Sequence, residues 1–401
     1  MLKDYLKEKL GDIKKKGRHR RKVIAHSPTD IKQQLSKNSN SVREYTLFCS
    51  NDYLGLASHP DIRDALIRGV ETWGGGSGAS HLISGHMNPH EQLEERFRAL
   101  YSEKLTTCRC LTFSSGYMAN LAVLTSIGDA ETELFSDELN HASLIDGMRL
   151  AKGKVHKFKH MNYDSLAALL ETSAAKNKVI VSDGVFSMDG SLADLKRLVQ
   201  LASEYDAWII LDDAHGYGVL GGGGLGLIEL ENCPLDRVIL IGTLGKSAGL
   251  SGAFVVADET IIEYIFQTGR SYIYTTASLP AVSSALLTSL NLIHGKEGVQ
   301  LRHHLSSLKK RLRAGFEEII LDRRISNWRY MGSDSAIQPL IVGDSKTAME
   351  LAAALDNLGF RIPAIRPPTV PENTSRLRIT LSAAHSISDV DGLLNAFRKL
   401  L

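Results

Sequence analysis

Seven short apolar runs punctuate the middle of the chain, each followed by small or polar residues and then by a stretch of helical periodicity. One run ends at Phe113 and gives way to Ser114-Ser115-Gly116 before an Ala/Leu-rich helical segment over 117–127. Glu133-Leu134-Phe135 and residues 155–158 are shorter strand candidates. Lys178-Val179-Ile180-Val181, Trp208-Ile209-Ile210-Leu211, Val238-Ile239-Leu240-Ile241 and residues 253–256 complete the series, with a helix over 192–205 between two of them. Runs that are β-branched and unalternating belong to strands buried on both faces, so the pattern predicts a mostly parallel sheet covered by helices. Ligands of such sheets bind beyond the carboxyl ends of the strands. Polar residues cluster just after those ends here.

The flanks read differently. Leu2, Tyr5, Leu6 and Leu10 form a weak helical stripe, residues 36–40 read as a surface loop, and alternation begins at Tyr45. Residues 271–295 are uncharged, but Pro280 and many Ser and Thr favour a buried helix over a membrane span. From Gly298 a charged helix (301–318), an apolar run (337–342), a helix (347–358), a strand (377–381) and a last helix from Ser388 suggest a smaller α+β unit. The predicted organisation is an N-terminal helix and arm (1–44), a large α/β domain (45–295) and a small C-terminal α+β domain (296–401). No internal repeat is visible.

Composition narrows the function. The 401 residues carry a net charge of +2, which gives no global field for nucleic acid or a membrane surface. The basic stretch around Lys14-Lys15-Lys16 and Arg18-His19-Arg20-Arg21-Lys22 reads as a solvated helix and arm, with nucleic-acid binding as the remote alternative. Four cysteines, irregularly spaced, make no disulfide framework, and Cys108-x-Cys110 lacks the second half of a zinc site. With no apolar stretch at the N-terminus, a reduced, cytoplasmic setting is expected. The 34 glycines matter because they cluster at turns after strands.

One such cluster is Gly242-Thr243-Leu244-Gly245-Lys246-Ser247-Ala248-Gly249. An amine at the mouth of a sheet, desolvated among small residues, becomes a nucleophile able to form a Schiff base with an aldehyde. Asp212 and His215 follow the run at 208–211; alone they are compatible with metal ligation, helix capping or contact with a heterocyclic nitrogen. No further His or carboxylate cluster points to metal. Gly116 and Tyr117 open a helix after a strand, where backbone N–H groups cradle phosphate, and Thr243 can give a hydroxyl to the same anion. His141 is flat enough to stack on an aromatic ring, and Ser187 sits in a turn after a strand. Gly221–Gly224 lacks the P-loop frame and reads as a flexible surface turn. Lysine, aspartate, stacking histidine and phosphate nest, in this order and all after strands, together describe pyridoxal 5′-phosphate.

The motifs Ser50-Asn51-Asp52-Tyr53-Leu54-Gly55-Leu56, Gly76-Ser77-Gly78-Ala79-Ser80, Asn140-His141-Ala142-Ser143, Gly184-Val185-Phe186-Ser187-Met188-Asp189-Gly190, Asp212-Asp213-Ala214-His215-Gly216, Gly245-Lys246, Tyr274-Thr275-Thr276 and Arg376-Leu377-Arg378 resemble those of the α-oxoamine synthases. These are fold-type I pyridoxal-phosphate enzymes of the aspartate-aminotransferase-like fold, and the resemblance runs from about Arg20 to the C-terminus. It implies that Lys246 holds the cofactor, Asp212 faces its ring nitrogen, and His215 and Ser187 lie at its phenolic oxygen. It further implies that His141 stacks on the ring, and that Gly116, Tyr117 and Thr243 bind phosphate, with Thr275 and Thr276 supplied across a homodimer. Arg378 would grip the amino-acid carboxylate, and Arg20, His141 and Thr369 would contact substrate. Ile365-Arg366-Pro367-Pro368-Thr369 is similar to the biotin-pathway branch, which joins L-alanine to a pimeloyl thioester of CoA or acyl carrier protein with loss of carbon dioxide. Sister enzymes use glycine or serine with other acyl groups. Departures from the family pattern are Asn373, where glycine is usual and where asparagine tolerates the left-handed conformation, Tyr217 in place of a small residue, and Asp194 in place of proline.

Overall fold

The structure, a computed structural model, describes residues 1–15, 18–36, 41–321 and 328–401. The chain begins with α1 (Leu2–Lys15), β1 (Ile24–Ala25), β2 (Lys32–Ser36), β3 (Val42–Leu47) and α2 (Pro60–Trp73); a π-helical turn (His81–Gly85) then leads to α3 (Asn88–Tyr101). There follow β4 (Cys108–Phe113), α4 (Gly116–Ile127), β5 (Thr132–Asp137), α5 (Ala142–Leu150), β6 (Lys154–Phe158), α6 (Tyr163–Thr172), β7 (Asn177–Asp183), α7 (Leu195–Glu204) and β8 (Ala207–Asp212). The large unit ends with α8 (Leu227–Leu230), β9 (Val238–Thr243), β10 (Ala253–Asp258), α9 (Glu259–Thr268), α10 (Arg270–Ile273) and α11 (Pro280–His294). The C-terminal part holds α12 (Lys296–Ile320), β11 (Arg329–Tyr330), β12 (Ile337–Gly343), α13 (Ser345–Asn357), β13 (Phe360–Arg361), β14 (Ala364–Ile365), β15 (Ser375–Thr380) and α14 (Ile387–Lys399).

Strands β4 to β10 form one sheet in the order β4-β10-β9-β8-β7-β5-β6. The pairs β5/β6, β5/β7, β7/β8 and β8/β9 are parallel, and β10 alone runs against its neighbours. Both faces are covered. Ile209 and Leu211 enter one apolar core together with Leu195 and Leu198 of α7, whereas Ile210 enters the other with Ala122 and Val123 of α4. Side chains alternate across a strand, so two cores demand apolar residues at every position and produce the unbroken runs.

A second sheet, β1-β2-β3-β13, joins the N-terminal strands to the C-terminal part through the parallel pair β3/β13; a third is β11-β12-β15-β14. The stripe of α1 is helical as expected, yet none of its residues is buried. Ser36 is the buried last residue of β2, not loop, because its neighbours pair with β3; residues 37–40 and Lys16 lie outside the described residues. The uncharged segment 271–295 is two helices, α10 and α11, broken where Pro280 starts the second. Gly221–Gly224 is a pinned turn rather than a flexible one. Glu229 accepts from the backbone of Gly223 at 2.7 Å and Leu225 at 2.9 Å, and buried Arg302 donates to Gly222 O at 2.7 Å.

The departures noted in the sequence find physical reasons. Asn373 has φ +60°, Asp194 caps α7 by accepting from Arg197 N at 2.9 Å, and Tyr217 is buried edge-on against Phe254.

Helices α4 and α5 lie so close that Gly147 has no room for a side chain. A Cβ there would stand 2.6 Å from Leu124 Cδ1 and 3.2 Å from Asn120 O. Gly147→Ala is expected to cost about 1–3 kcal/mol through overpacking, read as a lower midpoint in urea or thermal unfolding.

Candidate active site

Because six strands of the large sheet share one direction, their carboxyl ends open on one edge. Gly116 follows β4, His141 follows β5, Ser187 follows β7, His215 follows β8 and Lys246 follows β9. Asp183 and Asp212, the last residues of β7 and β8, are partners in register. The strands therefore deliver lysine, histidines and carboxylates to one place although they are spread over 130 positions of the chain.

Lys246 Nζ lies 2.9 Å from His215 Nε2. The other ring nitrogen of His215, Nδ1, lies 2.6 Å from Tyr53 Oη, which donates to Asn51 Oδ1 at 3.1 Å. Burial strips water from the amine and pulls Lys246 down to about 8, against the partial opposition of Asp212 and Asp183. Burial also holds His215 well below the usual imidazole range, with the Lys246 charge adding to it. A neutral imidazole beside an amine of lowered pKa suits proton exchange near neutral pH.

Asp212 is fixed by two N–H donors: Asn120 Nδ2 reaches Oδ2 at 2.7 Å and Ala214 N reaches Oδ1 at 3.0 Å. Asn120 also donates to Ser143 Oγ at 2.8 Å, which in turn lies 2.7 Å from His141 Nδ1. The His141 backbone N–H donates to Asp183 Oδ2 at 2.7 Å. Burial, followed by the charge of Asp212, pushes the Asp183 carboxyl well above the usual carboxylate range. Asp213 rises to about 8 by burial; it accepts from Leu227 N at 2.6 Å and serves the turn around Gly216 and Gly226.

Ser115 caps α4 by accepting from Met118 N, and a Cβ on Gly116 would point at Thr243, 3.7 Å away. The start of α4 thus leaves open backbone N–H groups next to a threonine hydroxyl, which suits a phosphate. The Tyr117 side chain turns outward, its hydroxyl donating to Asp146. Arg378 Nε donates to Ser187 O at 2.5 Å, and its Nη atoms approach Asn51 Oδ1 at 3.4–3.5 Å.

Lys246, Asp212, His215, His141, Gly116, Thr243, Ser187 and Arg378 are therefore one constellation. Thr369 is exposed on a cavity of about 350 Å³ that Ser187 also lines. Thr275 and Thr276 stand in the loop between α10 and α11, with Thr276 and its neighbour Tyr274 exposed. Arg20 is exposed after α1, and among the described residues no hydrogen bond joins it to the site. Sequence reasoning missed Asn120, whose signal is a lone asparagine in an apolar helix, and Asp183, a carboxylate ending a strand in register with Asp212. It also gave no role to Tyr53 and Asn51 within their motif. A buried amine, a fixed carboxylate across the strand edge, a histidine at the β5 end and an open helix N-terminus fit pyridoxal phosphate, and no side chain fills the nest at Gly116.

Removing the buried amine has a pH-dependent consequence. Between about 8 and the ordinary lysine range the unfolded chain binds the proton that folded Lys246 does not, so stability rises with pH there; the cost of burying Lys246 is in full force below about 8. In protein stripped of cofactor, Lys246→Ala should unfold at higher temperature than the parent at pH 7, and the gap should close as the pH climbs past 10. Scanning calorimetry at several pH values checks this.

The family described as aminotransferase class I and II matches residues 43–397. An 8-amino-7-oxononanoate synthase from Leptothrix cholodnii is 49% identical over 399 residues, covering 99% of this chain and 98% of that protein. A serine palmitoyltransferase from S. paucimobilis, solved with a bound PLP–myriocin adduct, superposes with TM-score 0.88 at 25% identity, covering 99% of this chain and 96% of that one. The 8-amino-7-oxononanoate synthase of Francisella tularensis superposes with TM-score 0.73 at 28% identity, over 89% of this chain and 97% of that one. With matches of this length and identity over the residues that build the site, the chain belongs to the class I and II aminotransferase family of pyridoxal-phosphate enzymes and, within it, to the 8-amino-7-oxononanoate synthases.

Proposed function

We infer that this chain is a pyridoxal-phosphate-dependent acyltransferase of biotin synthesis. It condenses L-alanine with a pimeloyl thioester of CoA or acyl carrier protein, giving 8-amino-7-oxononanoate, the free thiol carrier and carbon dioxide. The observation that carries the reading is the single constellation of Lys246, His215, Asp212, His141 and the Gly116–Thr243 nest, in a chain about half identical to enzymes of that name.

Pyridoxal phosphate bound there supplies an imine link to the amino acid and a ring that withdraws electrons from its Cα. Lys246 anchors the cofactor and, once released, takes the Cα proton; a pKa near 8 leaves a useful share of neutral amine. Asp212, held by Asn120 and Ala214, faces the ring nitrogen and keeps it charged. His141, positioned by Ser143 and Asp183, would stack on the ring. His215 and Ser187 sit by the phenolic oxygen, and Gly116, Tyr117 and Thr243 take the phosphate. Arg378, oriented by the Ser187 carbonyl and Asn51, holds the alanine carboxylate. Thr369 and Arg20 contact the acyl partner. In a homodimer the exposed loop carrying Thr275 and Thr276 reaches the phosphate of the other subunit. No described helix is long and apolar enough to cross a membrane.

A second reading, glycine or serine with another acyl thioester, draws on the close superposition with serine palmitoyltransferase. Identity of 49% to the Leptothrix cholodnii oxononanoate synthase, against 25% to the serine palmitoyltransferase, favours alanine and pimeloyl. Purified protein supplied with alanine and pimeloyl-CoA should release carbon dioxide and the oxononanoate; product only from glycine or serine with other thioesters would overturn the assignment. Lys246→Ala should abolish turnover and the visible absorbance of the linked cofactor. Arg378→Ala should raise the KM for alanine at least tenfold, since it removes the charged partner of the substrate carboxylate.

A further inference from the structure

The cavity beside Ser187 has a feature that the constellation does not use. Its walls are apolar over much of their area, with Leu139, Ile145, Phe186, Met188 and Val370 among them, and Arg376 lies at the same cavity. Arg376 is only 5% exposed. Thr374 holds the guanidinium from behind: its carbonyl accepts from Nε at 3.0 Å and its hydroxyl from Nη2 at 3.2 Å. Among the described residues Nη1 has no hydrogen-bond partner, and no carboxylate makes an ion pair with Arg376. The two carboxylates that also line the cavity make their hydrogen bonds to other groups, although the charge of Asp189 still acts on Arg376. Glu138 bonds Lys159 and the His160 backbone, and Asp189 accepts from Ser191.

A buried cation that no carboxylate touches directly is costly, and an arginine fixed on one edge offers its other edge to a carboxylate; the charge of Asp189 offsets only part of that cost. Arg376 and Arg378 stand two positions apart on β15 and so point to the same face, with Cα atoms roughly 6.7 Å apart. The strand thus presents one guanidinium at the amino-acid site and a second further along the adjoining cavity.

We propose that Arg376 binds the distal carboxylate of the acyl donor, so that this cavity selects ω-carboxyacyl chains over simple fatty acyl chains of equal length. The apolar walls take the methylene chain, and the guanidinium takes the anionic end, which would otherwise be buried unpaired. The inference rests on the proposed reaction and names the group that sets its acyl specificity.

The test compares pimeloyl-CoA with heptanoyl-CoA, which has the same chain length and no distal carboxylate, in the holoenzyme and its Arg376→Met and Arg376→Lys variants. Arg376→Met should lower kcat/KM for pimeloyl-CoA roughly 100-fold, mainly through KM, and leave heptanoyl-CoA within about threefold. Arg376→Lys should restore part of the preference. The change in cofactor absorbance on adding alanine should stay as in the parent, which separates this role from damage to Arg378. Equal losses on both thioesters, or an unchanged preference for pimeloyl, would overturn the proposal. If Arg376→Met does not fold, Arg376→Gln carries the same comparison. Calorimetric binding of pimelate, absent with heptanoate and lost in the variant, decides the cavity independently of turnover; a parent enzyme that binds pimelate yet fails to use alanine would fault the reaction and not the cavity.

Discussion

Parallel hydrogen bonding in the large sheet is the constraint on which the site depends. Register between β7, β8 and β9 puts Asp183, Asp212 and the turn leading to Lys246 side by side, with no freedom to drift apart without breaking the ladder. A parallel strand needs a crossover to return, and each crossover here is a helix whose N-terminus also opens on the working edge. Sheet and helices therefore concentrate two kinds of positive potential, the amine and the helix N-termini, around a set of carboxyls.

Those charges sit in a place from which water is largely removed, and the structure manages them by sharing. Asp212 has two N–H donors, burial and then the neighbouring Asp212 raise the pKa of Asp183, and burial and then the neighbouring Lys246 lower that of His215. Each shift has desolvation as its largest cause, so the same burial that lowers the pKa of Lys246 also makes it a liability for stability. Arg378 and Arg376 extend that pattern onto β15, which brings cationic groups from the C-terminal part to the rim of the large sheet.

The chain termini are tied into this arrangement. β3 pairs with β13, Thr380 N donates to Phe48 O, and Ser382 Oγ donates to Asp52 O. The segment containing Asn51 and Tyr53 is thereby held between the strand bearing Arg378 and the histidine beside Lys246. Moving the C-terminal part would move the Arg378 end of the chain of hydrogen bonds that passes through Asn51, Tyr53 and His215 to Lys246.

The sequence by itself determined the sheet and its direction, since a strand with a core on each face must be apolar at every position, as at 208–211 and 238–241. It also determined which residues follow the strand ends, and hence Lys246, Asp212, His215 and His141 as chemistry. It was silent on Asn120, because one polar residue in an apolar helix has no visible partner until α4 lies over β8. It misread Ser36 and the Gly221–Gly224 turn, whose order comes from pairing with β3 and from Glu229 and the sequence-remote Arg302, contacts that no local pattern announces. Only the tertiary structure decided that Arg376 is buried with no carboxylate in direct contact, because alternation along β15 gives its face but not what stands opposite it.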